Sequence, residues 1–211
     1  MQQSSFLRAL AAVLFTAVCA WTLAYFTQSG AARIERAAAA SPPPAVSGGA
    51  ALDGIVIRRE RVLSAPFASV STMAEDGERL SADAVAAFAD GEAVIARESA
   101  VFFSETDGYE YLSPDELTGF TADTLENLLS AEPKTEAGAY GRLVTDFAWY
   151  YAAAPEVGGT VKKGRCEVRF EGFAEAIEGE VISALPGAVL IRLTDGAPEY
   201  LSLRRTKAEL K

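Results

Sequence analysis

Residues 141–154 read GRLVTDFAWYYAAA, and what this stretch becomes decides the fold of the C-terminal half. Leu143, Phe147, Trp149 and Tyr151 make it an aromatic strand that belongs in a core or at an interface. Alternate residues of a strand face opposite sides, so Phe147, Trp149 and Tyr151 are expected to share one face and Tyr150 to take the other. Glycine and turn pairs then punctuate the chain at Gly158-Gly159, Lys162-Lys163-Gly164, Gly172, Pro186-Gly187 and Asp195-Gly196. That spacing predicts a small antiparallel barrel of five or six strands over residues 140–211, with strands at 165–171, 176–184, 188–194 and 200–205.

Immediately upstream, residues 113–139 read as a short helical connector. Ser113-Pro114-Asp115-Glu116 has the form of a helix start, with a capping serine, proline at the first helical position and Glu116 placed for a capping box. Gly119 stops it. A second helix over 122–130 puts Leu125, Leu128 and Leu129 on one face.

Residues 53–112 have the period of strands. GIVIRRERVLSAP, from Gly54, alternates in part and is rich in β-branched residues, and Pro66 ends or edges the run. FASVSTM, from Phe67, follows as a short strand, then the turn Glu75-Asp76-Gly77-Glu78. Residues 84–88 are apolar and short, Asp90-Gly91 turns, and 92–97 suits strand or helix. SAVFF, residues 99–103, is a strand. Asp107-Gly108 turns the chain, and Tyr109 and Tyr111 are expected to continue it.

The N-terminal part has a different character. Residues 6–26, FLRALAAVLFTAVCAWTLAYF, carry no charge between Ala9 and Phe26 and nearly reach the ~20 apolar residues a helix needs to cross a bilayer core. Trp21, Tyr25 and Phe26 sit where aromatic rings favour the headgroup level. The expectation is an uncleaved transmembrane anchor over residues 1–27, leaving the rest of the chain extracytoplasmic. A cleaved signal peptide ending near Ser29-Gly30-Ala31 is the rival, disfavoured by the length of the apolar run. Residues 28–52 form an Ala/Pro/Gly linker, stiff at Pro42–Pro44 and flexible at Gly48-Gly49.

Composition narrows the function. The 211 residues contain no histidine and two cysteines, which removes His-dependent triads and His-containing zinc sites. Cys19 lies in the apolar run and Cys166 stands alone in the remainder, read as a small strand residue with no imidazole to activate it. The net charge is −10, concentrated between Ala74 and Glu136. Such a surface repels phosphates and argues against nucleic acid. The acidic pair Asp115/Glu116 and the trio Glu75, Asp76 and Glu78 could supply an acid and a base, but they sit at turns and a helix start, where carboxylates cap and solubilise. Asp76, Glu78, Asp107 and Glu110 could gather to bind Ca²⁺, yet no loop has EF-hand spacing. No residue is assigned as catalytic, cofactor-binding or metal-ligating, and the chain is read as a non-enzyme without cofactor.

The order of these segments carries a resemblance. Ala65-Pro66 and the turn at Glu75-Asp76-Gly77 fall within a first half-motif at 54–88. Asp107-Gly108-Tyr109-Glu110 turns a second half-motif at 99–112, and GRLVTDFAWYY opens a glycine-punctuated barrel, with residues 157–164 resembling a Gly-spaced way into it. Nearly the whole chain resembles the HlyD-like periplasmic adaptor, or membrane fusion protein, family in its compact Gram-positive form. The resemblance implies a mainly β fold, with a lipoyl-like barrel-sandwich hybrid over 53–112, the connector at 113–139 and a β-barrel over 140–211. Only residues 89–98 separate the half-motifs, too few for the long helical hairpin that family members insert there. No lysine occurs from Met1 to Pro133, which excludes a swinging-arm cofactor carrier. The implied function is an anchored adaptor acting through protein–protein contacts, with a membrane transporter or a second copy of itself as partner. A cell-envelope scaffold that keeps the fold without an export role is the alternative.

Overall fold

The computed structural model describes residues 50–66, 68–156 and 161–211. The expected anchor, its Cys19, the linker to residue 49, Phe67, and Gly158 and Gly159 lie outside the described residues. Among the described residues, no helix is long and apolar enough to cross a membrane.

The fold is mainly β. Six antiparallel strands close a barrel: β1 (Ala50–Ile57), β9 (Trp149–Pro155), β10 (Gly164–Phe170), β11 (Ile177–Leu185), β12 (Ala188–Leu193) and β13 (Arg205–Leu210), in the order β1-β13-β10-β11-β12-β9. Residues 58–148 leave and rejoin this barrel between two neighbouring strands, since Ile57 of β1 pairs with Tyr150 of β9. They form an insert of two sheets. One is four-stranded, in the order β2 (Glu60–Ser64), β8 (Ala139–Val144), β7 (Ala100–Phe103) and β4 (Arg79–Leu80). The other is three-stranded, in the order β3 (Val70–Thr72), β5 (Val85–Ala89) and β6 (Glu92–Ile95).

Four sequence readings change. Residues 54–57, read as the opening of the first half-motif, are barrel wall, with Ile55 opposite both Arg205 and Ala152. The stretch 141–154 is not one strand. It divides into β8, paired with β2 and β7, and β9, paired with β1 and β12. The break falls at Thr145–Ala148, where the Ala148 amide donates to Asp146 Oδ1 at 3.1 Å and the Thr145 amide to the Arg59 carbonyl at 3.1 Å. Phe147 therefore does not share a face with Trp149 and Tyr151: it is 65% exposed and they are fully buried. Finally, the strand expected at 200–205 begins only at Arg205, because Pro198 starts a one-turn helix over Pro198–Leu201. Proline suits a first helical turn, where its missing N–H costs nothing. Tyr109 and Tyr111 likewise lie in a turn and extend no strand.

Other elements follow their local chemistry. Helix α1 (Ala122–Ser130) is capped by Thr121, whose hydroxyl accepts from the Thr124 amide at 3.1 Å while Thr124 Oγ1 accepts from the Thr121 amide. Its Leu125 and Leu128 are buried and Leu129 packs beside them. Ahead of it, Ser113 caps a 3₁₀ turn over Pro114–Leu117. Together they cover the outer wall of the barrel at Ile55, Ile57, Ala152 and Leu190, which is why β1 is apolar on both faces rather than alternating. The two half-motifs do pair, Arg79 with Val101 and Leu80 with Ala100, and Asp90-Gly91 is a tight hairpin turn with both residues at positive φ, 50° and 84°, as a primed turn requires.

The four-stranded sheet is buried on both faces. Phe102 and Leu143 point between the insert's sheets with Leu63, Leu80 and Ala86. Val101, Phe103 and Val144 point the other way and join the barrel core of Trp149, Tyr151, Val168 and Phe170. Phe170 is the hub of that core, 5.2 Å from Tyr151 edge-on and 5.7 Å from Trp149. Both polar tips are satisfied: Trp149 Nε1 donates to the Asp195 carbonyl at 2.6 Å, and Tyr151 Oη to the Thr206 carbonyl at 2.7 Å. Buried indole and phenol groups need such partners.

Candidate functional site

The most concentrated chemistry lies at the seam where the insert leaves the barrel. Arg58 and Glu60 stand at the outgoing crossing, Arg142 on β8, Arg204 just before β13, and Asp107 and Glu110 in the loop after β7. Glu60 is the centre. One of its oxygens pairs with Arg58, the other with Arg204 Nη2 at 2.5 Å, and Arg142 Nε lies 3.8 Å away. Asp107 Oδ2 accepts from both Arg142 Nη1 at 2.8 Å and Arg204 Nε at 2.9 Å, and Glu110 Oε1 from Arg142 Nη1 at 3.2 Å. Three guanidiniums thus face three carboxylates. Arg58 and Glu60 are fully buried, and only Asp107 reaches solvent appreciably.

The balance shows in the acidities. Burial pushes the Glu60 carboxyl upward, but Arg58, Arg204 and Arg142 together outweigh burial and hold it below the ordinary glutamate value. Asp107 is held low in the same way, burial being outweighed by its hydrogen bond and charge contact with Arg204. Arg58 shares its one carboxylate with two other guanidiniums and is the most deeply buried, so desolvation brings it down to about 10. It remains a cation at neutral pH. Burying charge is costly unless each member is paired, and removal of one member strands the others. The network is therefore a lock: Glu60, Asp107 and Glu110 of the insert hold Arg204 of the barrel and Arg142 of the insert in one arrangement.

The acidic residues singled out from sequence are dispersed by the structure. Asp107 and Glu110 meet at Arg142, while Asp76 is held by Ser104, whose amide and hydroxyl donate to it at 2.5 and 3.0 Å. Glu78 Oε2 accepts from the Glu75 amide at 2.9 Å, a turn cap. Asp115 is exposed and pairs with Arg59 at 3.2 Å, while Glu116 lies beside it in the same helical turn. Among the described residues, no group of three or more acidic or cysteine side chains stands together as a metal site. The Cys166 thiol is buried and pushed up to about 11, mainly by desolvation with the Glu180 charge adding, so it is not a thiolate at neutral pH. The arginines of the lock were not picked out from sequence. For Arg58 and Glu60 a signal existed in the density of charge in RRER, residues 58–61, inside an otherwise apolar strand pattern.

Two clefts open along the seam, the first of them reaching Asp107 and Arg142 of the lock. One, of about 420 Å³, is lined by Asp76, Glu105, Asp107, Arg142 and Glu199 among others. The second, of about 230 Å³, is a more apolar groove along β4, bordered by Leu80, Val101, Val144 and Leu201, with Arg79, Asp146 and Phe147 on its rim. Both lie along the insert–barrel seam.

No protein-family model matches this chain, and no curated protein matches it.

Proposed function

We propose that this protein is a membrane-anchored, extracytoplasmic adaptor-like protein of the HlyD-like kind that works by protein–protein contact, with a membrane transporter as partner. The observation that carries the reading is the arrangement of the two β bodies. Parts of the two half-motifs pair through β4 and β7 in an insert of two small sheets, carried between two strands of a six-stranded barrel, and this pairing supports the lipoyl-like body that the resemblance implies. Only the Asp90-Gly91 turn and β6 lie in the connection between the halves, at the place where the resemblance puts a long helical hairpin. A compact adaptor of this form would contact its partner directly with the sheets and barrel. The buried lock at Glu60 favours a rigid two-body presenter over a mobile arm. The same features serve a cell-envelope scaffold with no export role, and the short turn at Asp90-Gly91 is the observation that favours this second reading.

Crosslinking in intact cells, followed by identification of co-purifying membrane proteins, separates the two. Recovery of a transporter supports the adaptor, and recovery of wall or division proteins in its place supports the scaffold. The topology has its own test: protease added to spheroplasts digests residues 53–211 while the mature chain keeps its first residues. Protection of that part overturns the topology, and a mature terminus near Ala32 overturns the anchor.

A further inference from the structure

We propose that the apolar seam groove and Phe147 together form a self-complementary interface, in which Phe147 of each of two copies enters the groove of the other. This goes beyond the adaptor reading and stands without it. Phe147 is the most exposed large apolar side chain among the described residues, at 65%, and unlike Trp149 and Tyr151 it has no place in the barrel core. The Asp146 turn and the buried Trp149 two residues on hold it outward. Beside it lies an unfilled groove whose floor is Leu80, Ala100, Val101, Val144 and Leu201. An apolar cavity of about 150 Å³ is enough to take a benzene ring, and this groove measures about 230 Å³. Phe147 stands on its rim and leaves it open.

A knob and its hole in one patch define the occupant. A two-fold axis through such a patch brings each knob to the other copy's hole, the isologous arrangement that most homodimers use. The rim charges agree with it. Arg79 and Asp146 border the groove with opposite signs, so the same axis sets each Arg79 against the Asp146 of the other copy. Arg79 gives Nη2 to the Gly196 carbonyl at 2.6 Å, which leaves its other N–H groups for a partner. The patch is thus neutral on a chain of net charge −10, where approach through the acidic surface of the insert is repelled. A buried aromatic anchor inside a polar rim is the usual composition of a binding hot spot.

The test uses the full-length chain carrying the photoreactive residue benzoylphenylalanine at position 147, irradiated in the cells that produce it. The expected product has twice the mass of the chain, with the crosslink on Leu80, Val101 or Leu201 of the second copy, assigned by mixing isotope-labelled and unlabelled protein. In parallel, sedimentation of full-length Phe147→Asp in detergent is expected to show self-association weakened by roughly tenfold or more, with a melting temperature equal to the parent's at dilutions where both are monomeric. Asp146→Asn, which keeps the oxygen that accepts from Ala148, is expected to weaken it less. A crosslink confined to one chain, to another region of the second copy or to a different protein overturns the proposal. So does a Phe147→Asp variant that associates like the parent.

Discussion

Glu60 and Arg204 lie on different β bodies, 144 positions apart in sequence, and meet side chain to side chain at 2.5 Å with both groups buried. The first strand of the insert begins at the first of these residues and the last barrel strand just after the second, so the contact ties the insert to the barrel. Glu60→Gln keeps the shape and removes the charge. It leaves Arg58 and Arg204 buried without their shared carboxylate, and breaking a buried pair in this way typically costs about 3–5 kcal/mol. The lowered midpoint should be visible in denaturant unfolding of the full chain. A midpoint within error of the parent would show that the lock carries no stability.

Acid should act on the same lock. Glu60 and Asp107 have folded acidities below their ordinary values, so at low pH the unfolded chain binds more protons than the folded one. Their stabilisation is fully present above the unfolded carboxyl values of about 4 and is lost as pH falls through those values toward the folded ones. The melting temperature is expected to be level near neutrality and to drop below about pH 4.5. Glu60→Gln should make that drop shallower. A profile of the same steepness in the variant would assign the acid sensitivity to other carboxylates.

Local features of this fold were legible in the sequence, and long-range ones were not. The cap at Ser113, the leucine face of residues 122–130 and the turn at Asp90-Gly91 are written in adjacent residues, and the structure has them where the pattern puts them. The barrel was legible as a count of strands. Its first strand was not, because the pairing of Ile55 with Arg205 spans most of the described chain and leaves no local mark. In the aromatic run, the period through Leu143, Phe147, Trp149 and Tyr151 hid a change of sheet, since a strand pattern carries no label for its partner. The arginines of the lock escaped for a related reason: Arg58, Arg142 and Arg204 are expected at the surface by type, and only their pairing with Glu60, Asp107 and Glu110 makes burial tolerable.

The division of the aromatic run predicts opposite outcomes two residues apart. Trp149→Ala removes a fully buried indole packed against Phe170 and donating to the Asp195 carbonyl. Deletions of this size in cores cost about 3–5 kcal/mol, a large part of a typical total of roughly 5–15 kcal/mol. Phe147→Ala changes a ring that is exposed in the single copy and, melted at dilutions where the chain is monomeric, should stay within about 0.5 kcal/mol of the parent. Thermal melts of the two variants decide it. Equal losses would mean that Phe147 belongs to the core after all.

Two glycines separate the two reasons a chain needs this residue, and they test the barrel membership of β1. Gly54 has no unusual φ, but a Cβ there would lie 2.4 Å from the Ala152 carbonyl oxygen and 2.6 Å from Ala153 Cβ on the neighbouring strand. Any side chain at this position forces β1 away from β9, and overpacking of this kind costs about 1–3 kcal/mol or more. Gly91 is the reverse case, with φ at +84° and no atom within 4 Å of a Cβ. There the demand is conformational, and asparagine meets it better than other side chains because it tolerates the left-handed region. Gly91→Asn is therefore expected to unfold close to the parent, and Gly54→Ala and Gly54→Asn both well below it, in denaturant titrations of the full chain. A tolerated Gly54→Asn would mean that residues 54 and 153 are not in contact, and would return β1 to the insert where the sequence pattern first placed it.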